Sequence, residues 1–345
     1  MKIAQIAPLA ERVPPKKYGG TERVVHALTE ELVRRGHEVT LFASGDSQTQ
    51  ARLESVYPRA LREAKFNDLY GTNDLTMLHM GVAYELQDEF DIIHDHMAPL
   101  SIPIANLATT PVVATVHGPF TGENRKLFEL LRGPNIVTVS QSQLYPLPNI
   151  NHAGTVHHGL SMEHYPFSAE HDGYLLYVGR IAADKGVQYA VDVAQVLDIP
   201  LILAAKVEPI DLPYFKQYIE PRLSERIKWV GEVDEEERNR LMSRASAFLH
   251  PVVFREPFGL TLIEAMACGC PVIAFNRGAI PEIIKTGVTG FVVEDVEGMI
   301  DALHNIGTIS RAACREHALQ NFNVSRMADG YEAIYRKLLG DEADS

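Results

Sequence analysis

The hydrophobic positions of the first half form short apolar runs that alternate with longer segments of helical periodicity. In Thr21–Arg35 the apolar residues recur at three- and four-residue spacing, and Gly36 follows as a C-terminal cap. The predicted strands are Lys2–Ala7, Glu38–Ala43, Asp91–Asp95, Val112–His117 and Asn135–Ser140, with a further helix at Asn73–Phe90. This alternation predicts a parallel sheet that is covered by helices on both faces.

The alternation pauses around Thr155–Pro166 and then starts again. The strands predicted beyond it are Gly173–Gly179, Pro200–Ala205, Ile227–Val230, Phe248–Pro251 and Pro271–Phe275, and the helices are Lys185–Leu197, Pro213–Leu223, Asp234–Ala245 and Val324–Leu339. The sequence therefore predicts an α/β protein with two doubly wound, Rossmann-like domains, at residues 1–160 and 161–323.

The length and composition agree with two globular domains and exclude several classes of function. The 345 residues are many for a single core, and the formal charge of −13 argues against nucleic-acid binding. That charge also disfavours contact with membranes, although a local basic patch would still permit it. Cys268, Cys270 and Cys314 form no disulfide or zinc pattern, so we expect a reducing compartment, the cytoplasm. Nothing in the chain specifies an oligomeric state.

The segment Arg255–Pro271 carries the strongest candidate chemistry. It turns at Pro257 and Gly259 and then continues as an apolar stretch, which predicts a short helix that leads into a strand. A helix that begins at a glycine presents free amides and the positive end of its dipole, so phosphate is a natural ligand. Glu256 and Glu264 flank this end. Since carboxylates repel phosphate, they could hold hydroxyl groups of a sugar and a ribose, or they could be ordinary solvated surface acids.

Arg180 and Lys185 follow the predicted strand that ends near Gly179. At the carboxyl end of a parallel strand both cations could reach one anionic group, such as a diphosphate that gains charge as its bond to a sugar breaks. Two unrelated surface cations are the alternative, which the helix start at Gly259 disfavours. Gly19-Gly20 could likewise bring backbone close to a bulky ligand, or could form a simple tight turn.

Two clusters raise the question of a metal ion. His94 and His96 would point to the same face of a strand, but no third ligand is identifiable, which favours a role in lining the acceptor side. In the acidic run 234–237, Asp234 is better explained as an N-terminal helix cap. The sequence therefore predicts no metal and no other cofactor.

Four motifs together resemble a known family. They are Gly19-Gly20-Thr21-Glu22, Val116-His117-Gly118, Gly179-Arg180 through Lys185-Gly186, and Glu256-Pro257-Phe258-Gly259-Leu260-Thr261-Leu262-Ile263-Glu264 through Pro271. In this order and spacing the chain resembles the retaining glycosyltransferases of family four over nearly its whole length. One departure is His157-His158-Gly159, where relatives often have His-Asn-Gly, and the ligand of Glu22 is not implied by the resemblance.

The resemblance implies the GT-B architecture, in which two Rossmann-like domains face a cleft and a final helix, residues 324–340, crosses back to the first. It implies that Arg180 and Lys185 neutralise the diphosphate, while Glu256 and His117 contact the transferred sugar. The residues that it assigns to nucleotide-sugar binding are Gly19, Gly20, Val230, Val233, Phe258, Gly259, Leu260, Thr261 and Glu264. Val230 and Val233 would lie near the base, and Glu264 would hold the ribose.

The predicted function is metal-independent, retaining transfer of a hexosyl group from a nucleotide sugar, with a UDP-sugar favoured. No Asp-x-Asp occurs in the sequence, and the leaving diphosphate could itself accept the proton of the attacking hydroxyl. The acceptor, a small molecule or a glycan, is expected at the loops Leu9–Tyr18 and Asp46–Asp74. The alternatives are a nucleotide-sugar epimerase or hydrolase and a non-catalytic binding protein of the same fold.

Overall fold

The chain divides into two compact units, each built on one parallel sheet. The computed structural model describes residues 1–17, 19–64, 71–145 and 149–340. The first unit comprises Met1–Ser161 and Asn323–Ser345, and the second comprises Met162–Phe322. In the described parts of the chain, no helix is both long enough and apolar enough to cross a lipid bilayer.

The first unit contains a seven-stranded sheet in which all pairs are parallel. Its strands are β1 (Lys2–Ile6), β2 (Glu38–Phe42), β3 (Arg52–Glu54), β4 (Ile92–Asp95), β5 (Val112–Val116), β6 (Asn135–Thr138) and β7 (His152–Thr155), in the order β3-β2-β1-β4-β5-β6-β7. Its helices are α1 (Gly20–Arg34), α2 (Gly71–Glu85), α3 (Ile102–Ala105), α4 (Arg125–Leu130) and the last of the chain, α12 (Val324–Leu339). Every residue of β4 and β5 is buried, as expected for central strands of a parallel sheet.

The second unit contains a six-stranded parallel sheet. Its strands are β8 (Leu175–Arg180), β9 (Leu201–Lys206), β10 (Ile227–Gly231), β11 (Ala247–His250), β12 (Val272–Phe275) and β13 (Gly290–Val293), in the order β10-β9-β8-β11-β12-β13. Its helices are α5 (Val187–Leu197), α6 (Leu212–Tyr214), α7 (Glu235–Arg244), α8 (Leu260–Ala267), α9 (Ile280–Ile283), α10 (Val296–Asn305) and α11 (Arg311–Asn321). The prediction of two doubly wound parallel sheets is confirmed.

The strand order of each sheet reverses once, and this reversal determines where a ligand can bind. In the first sheet it lies between β1 and β4, and in the second between β8 and β11. The chain that leaves β8 continues to β9 on one side, whereas the chain that leaves β11 continues to β12 on the other. The loops after these two strands therefore diverge and leave a crevice at the carboxyl edge.

Helix α12 belongs to the first unit, as predicted. The Asn323 side chain caps it by accepting from the Arg326 amide, and the Val324 amide donates to the Leu160 carbonyl at 3.2 Å. Arg35, which follows α1, contacts Asp329 of α12 at 2.7 Å. Helix α12 and the elements of residues 1–161 therefore belong to the same folded unit.

The helix predicted over Pro213–Leu223 is present as a continuous helical segment, but its helix type changes along its length. The short α6 continues as a π-helix at Phe215–Ile219 and ends as a 3-10 helix at Glu220–Arg222. Pro221 has no amide hydrogen, so the regular helical bond to the carbonyl four residues earlier cannot form there.

Candidate functional site

Two loops leave the carboxyl ends of β8 and β11 and pack against each other in the second unit. Gly186 has φ +67°, and a Cβ at this position would stand 1.9 Å from the carbonyl oxygen of Pro251, so only glycine permits the approach. The Val253 amide also donates to the Asp184 carbonyl at 3.0 Å. The loops that carry the predicted cations and the first predicted glutamate therefore form one surface at the reversal of the sheet.

Lys185, Glu256 and His250 form a charged cluster on this surface. The Lys185 Nζ and the His250 Nε2 each lie 3.5 Å from Oε2 of Glu256. All three side chains are largely buried, and the Lys185 Nζ also stands 4.4 Å from the ring centre of Phe254. Burial alone would raise the pKa of Glu256, but the adjacent His250 ring and the charge of Lys185 outweigh burial and lower it. Glu256 is therefore an ionised acceptor beside a held cation.

Arg180 lies at the end of β8 and faces two carboxylates. Its Nε is 3.3 Å from Oδ2 of Asp211, and its Nη2 is 3.5 Å from Oδ1 of Asp184. Just over one third of the side chain is exposed, so the guanidinium remains accessible to a ligand. An anionic ligand would have to compete with these acids for Arg180 and with Glu256 for Lys185.

Helix α8 begins beside this cluster. Gly259 precedes the helix with φ +94°, and its position for a Cβ would be 3.5 Å from Cγ of Glu256. The amides of Leu260 and Thr261 lie in the first turn, where an α-helix has no carbonyl partners of its own for them. The structure thus brings Lys185, Glu256 and the start of α8 together, as the sequence predicts.

Two other residues assigned to the nucleotide sugar are packed in the interior of the second unit. Phe258 is 2% exposed, and its ring stands edge-on to that of Phe322 at 5.9 Å. Glu264 is 1% exposed, and its Oε1 lies 3.1 Å from Nη2 of Arg238 on α7. The contacts described for Glu264 are thus to the protein, and ribose binding by this residue stays a prediction.

Val230 and Val233, the residues predicted near the base, lie at the carboxyl end of β10. Val230 is about half exposed, and the chain turns between the two valines at Gly231, which has φ +78°. Because β9 separates β10 from β8, this turn is roughly 10 Å from the end of β8. Base binding by Val230 and Val233 stays a prediction.

Gly19 and Gly20 lie in the first unit, at the start of α1. Gly19 has φ +153°, and a Cβ there would be 2.7 Å from Cβ of Pro15, so the loop requires glycine. The carboxylate of Glu22 packs directly against Gly19 and is 5% exposed. Its burial raises the pKa of Glu22 to about 7. The loop predicted to approach phosphate thus rests on an acid that has a greatly reduced tendency to ionise.

His117 follows β5 in the first unit and is held between two other histidines. Its Nε2 is 2.9 Å from Nδ1 of His96, and its Nδ1 is 3.3 Å from Nε2 of His158. Burial lowers the pKa of His117 to about 3, so the ring is neutral at physiological pH. Contact between His117 and a sugar stays a prediction.

His96 and His117 line a cavity of about 560 Å³ in the first unit. The described lining residues are Pro8, Leu9, Ala10, Thr21, Leu61, Arg62, Thr72, Thr76, His96, Met97, Ala98, Leu100, His117 and Gly118. Several belong to the loops predicted to receive the acceptor, although Tyr18 and residues 65–70 of those loops lie outside the described residues. The guanidinium of Arg62 is paired with Glu11 at 2.9 Å.

The metal alternatives gain no support from the geometry. Among the residues that the structure describes, no group of three His, Cys, Asp or Glu side chains is arranged to hold an ion. The ring nitrogens of His94 contact hydroxyls of Tyr335 and Thr115 at 2.6 and 2.7 Å. Asp234 accepts from the Glu237 amide at 2.9 Å, which confirms it as a helix cap.

The sequence prediction missed His250 and Arg238. His250 could have been found, because a polar residue that ends an apolar strand lies at the edge where ligands bind. Arg238 could not, because its position opposite Glu264 depends on how α7 packs against α8. Both residues set the charge around the predicted glutamates.

Comparison with known proteins places these features in a family. Residues 18–170 match the model described as Glycosyltransferase Family 4, and residues 172–308 match the model described as Glycosyl transferases group 1. The two matches adjoin and leave only residue 171 and the ends of the chain unmatched.

Relatives and solved structures agree over almost the entire chain. The N-acetyl-alpha-D-glucosaminyl L-malate synthase of Bacillus anthracis is 27% identical over 94% of this chain and 95% of its own length. The phosphatidyl-myo-inositol mannosyltransferase of Mycobacterium tuberculosis is 24% identical over 99% and 98%. The glycosyltransferase AviGT4, involved in avilamycin A biosynthesis, has a TM-score of 0.76 at 22% identity, with 98% of both chains covered.

HepE of Anabaena, solved in complex with UDP-glucose, has a TM-score of 0.74 at 18% identity over 99% of this chain and 100% of its own. These structures share the GT-B fold with the two parallel-sheet units found here. The protein is a glycosyltransferase, and it belongs to the family four type of these enzymes.

Proposed function

We propose that this glycosyltransferase moves a hexosyl group from a UDP-sugar to an acceptor hydroxyl with retention of anomeric configuration and without a metal ion. The observation that carries this proposal is the cluster of Lys185, Glu256 and His250 beside the start of α8. It supports a site where the positive charge of Lys185 lies 3.5 Å from the Glu256 carboxylate, which can accept hydrogen bonds from hydroxyl groups.

The leaving diphosphate is the part of the donor that this cluster fits best. Arg180 and Lys185 supply two positive charges, and the first-turn amides of α8 add the positive end of a helix dipole. Their attraction grows as the glycosidic bond breaks and charge develops on the diphosphate, so they stabilise the transition state more than the bound donor. This arrangement gives the protein a cationic partner for the phosphates without a metal.

Glu256 suits the transferred sugar. A carboxylate that is ionised and held by His250 and Lys185 accepts hydrogen bonds from sugar hydroxyls with little freedom to turn away. The same carboxylate would stabilise positive charge on the sugar ring as the bond breaks. The acceptor hydroxyl then attacks on the face that the diphosphate leaves, and a diphosphate oxygen takes its proton.

The choice of UDP rests on similarity, since HepE of Anabaena binds UDP and UDP-glucose. The cavity of the first unit, bounded by loops 8–10 and 96–100, is the proposed acceptor site. Its described cation, Arg62, is already paired with Glu11, which favours a neutral, hydroxyl-rich acceptor.

A donor panel and a product analysis test the proposal. UDP-glucose, UDP-N-acetylglucosamine and GDP-mannose are compared for thermal stabilisation, and the donor that binds is then incubated with a library of sugar and polyol acceptors. We expect a UDP-sugar to bind, the new glycoside to keep the donor's anomeric configuration by NMR, and EDTA to leave the rate unchanged. Release of free sugar, an epimerised donor, an inverted product or loss of activity in EDTA would each contradict a part of it.

Variants at the cations test the site. Arg180→Ala and Lys185→Ala each remove one partner of the developing charge, and we expect each to lower kcat about 100-fold or more. Arg226→Ala is the matched control, because Arg226 pairs with Asp198 at the amino edge of the same sheet and is half exposed. A full rate in either cation variant would show that the diphosphate binds elsewhere.

A further inference from the structure

A row of three imidazoles runs along the carboxyl edge of the first sheet and ends at a glutamine. Nε2 of His96 is 2.7 Å from Oε1 of Gln5, a buried residue of β1. Nδ1 of His96 is 2.9 Å from Nε2 of His117, and Nδ1 of His117 is 3.3 Å from Nε2 of His158. Each contact joins the Nδ1 of one ring to the Nε2 of the next.

The other end of the Gln5 amide faces a second chain of polar groups. Its Nε2 is 3.4 Å from Nδ1 of His94, to which the hydroxyl of Tyr335 also comes within 2.6 Å. Nε2 of His94 is 2.7 Å from Oγ1 of Thr115, which is 3.0 Å from the hydroxyl of Tyr331. Both tyrosines come from α12 and are fully buried.

Hydrogen-bond chemistry permits only two states of the row. Burial lowers the pKa values of His94, His96, His117 and His158, so each ring is neutral and has one donor and one acceptor nitrogen. If one ring carries its proton on Nε2, the next must do the same, because two donors or two acceptors cannot face each other. The row therefore adopts one tautomer throughout.

Gln5 selects which tautomer that is. An amide oxygen can only accept, so His96 must carry its proton on Nε2 and accept on Nδ1. The Nε2–H of His117 then donates to His96, and the Nε2–H of His158 donates to His117. Because a side-chain amide does not pass a proton on, the row cannot conduct protons past Gln5.

We propose that Gln5 is a positioning residue that fixes His96, His117 and His158 as neutral Nε2–H tautomers, and the first two of these rings line the cavity. The row holds the His117 ring through both of its nitrogens, so this ring faces a ligand with its carbon edge and its face. The role of that ring at a sugar rests on the proposed function, whereas the tautomers themselves do not. Gln5 acts on the ligand only through the histidines.

Nitrogen-15 NMR of the histidine-labelled protein tests this proposal, with His96→Gln and His117→Gln used for assignment. At pH 7.5 we expect the wild-type signals of His96 and His117 to be those of neutral Nε2–H rings. In Gln5→Leu the oxygen is lost, and we expect both rings to become mixtures of the two tautomers. Wild-type rings with the proton on Nδ1, or unchanged tautomers in Gln5→Leu, would overturn the proposal.

A conservative variant separates positioning from a general loss of packing. In Gln5→Glu a carboxylate can still accept from His96, so the Nε2–H form should return, and the added negative charge should raise the pKa of His96 by at least about one unit. The control is Asn135→Leu, which removes a side-chain amide at the amino edge of the same sheet, where its nitrogen donates to the Val112 carbonyl at 2.9 Å. The control should lower stability and leave the histidine tautomers as they are.

These spectra need no substrate, so their result is independent of whether the proposed transfer reaction is found. If transfer is also measured, we expect Gln5→Leu to lower kcat and Gln5→Glu to recover most of it above the new pKa of His96. If the tautomers are as expected but no transferase activity is found, the inference about Gln5 is supported and only the proposed substrates are contradicted. A Gln5→Glu variant whose His96 pKa does not rise would show that the amide oxygen does not face that ring.

Discussion

The ion pair between Glu264 and Arg238 makes a sharp test of how the second unit is held together. The two side chains are 1% and 6% exposed, and Nη2 of Arg238 is 3.1 Å from Oε1 of Glu264. At this distance the attraction is about 5 kcal/mol for an effective dielectric constant of ~20. Glu264→Ala removes it and leaves a buried cation without its main partner. We expect a loss of about 3–5 kcal/mol in the free energy of unfolding.

The single tryptophan of the chain provides the assay. Trp229 lies in β10 of the second unit, where its indole N–H donates to the Ala205 carbonyl at 2.7 Å, so urea unfolding followed by tryptophan fluorescence reports on this unit. Glu237→Ala on α7 is the control. It breaks a 2.6 Å pair with Arg240 that is largely exposed, and we expect it to cost less than about 1 kcal/mol.

A double variant decides whether the loss comes from the unpaired charge. Glu264→Leu with Arg238→Met replaces both charges by apolar groups, and we expect it to be more stable than Glu264→Ala by about 2 kcal/mol or more. If Glu264→Ala costs less than about 1 kcal/mol, or if the double variant loses the sum of its single variants, the reasoning fails. A weaker affinity of Glu264→Ala for nucleotide can be assigned to a lost contact only after this correction.

Further predictions concern pH and the packing of the two loops. Burial lowers the pKa of His79 from 6.5 to about 4. Between these pH values the unfolded chain therefore binds more protons than the folded chain. His79 alone should remove up to about 3 kcal/mol from the free energy of unfolding as the pH falls from 6.5 to 4. His79→Gln should flatten this dependence in acid unfolding curves, and an equally steep curve would refute it. Glu22 has the opposite effect on the pH dependence of stability, because its raised pKa makes stability fall as the pH rises from 4.5 to about 7. The substitution Glu22→Gln should therefore raise the melting temperature more at pH 8 than at pH 5. Gly186→Ala should lower the free energy of unfolding by at least about 2 kcal/mol. Gly287 has φ +79° and open space around it, so Gly287→Ala should cost only the backbone strain of about 1 kcal/mol. Equal losses in the two variants would contradict the close approach of Gly186 to Pro251.

The two sheets could be predicted from the sequence because buried parallel strands leave short, continuous apolar runs. Val112–Val116 is such a run, and every residue in it is buried. The polar edge strand Arg52–Glu54 carries no such signal, and in Gly290–Val293 the apolar run is only three residues long and partly buried. Helix α10 is not predicted from the sequence, although Asp295 caps it. The strand before this helix has only a weak apolar pattern, so the alternation of strand and helix is not recognised there.

The candidate site could be predicted as far as residues near in sequence supply it. The glycine before α8, Arg180 at the end of β8 and Lys185 after it are visible as motifs, and the structure brings Lys185 to Glu256. Partners that reach a residue from another element, such as Arg238 for Glu264 or His158 for His117, depend on helix packing and strand order. Periodicity contains no information about those pairings.

Since α12 completes the first unit, that unit is assembled from two segments separated by the whole second unit. During synthesis, residues 1–161 leave the ribosome well before Tyr331 and Tyr335, whose rings and hydroxyls close the polar network around His94. Until the final helix is synthesised, the early segment therefore exposes part of its interior to solvent. A truncation after Phe322 would leave this nascent state permanent, and chaperone binding or aggregation would be its visible outcome.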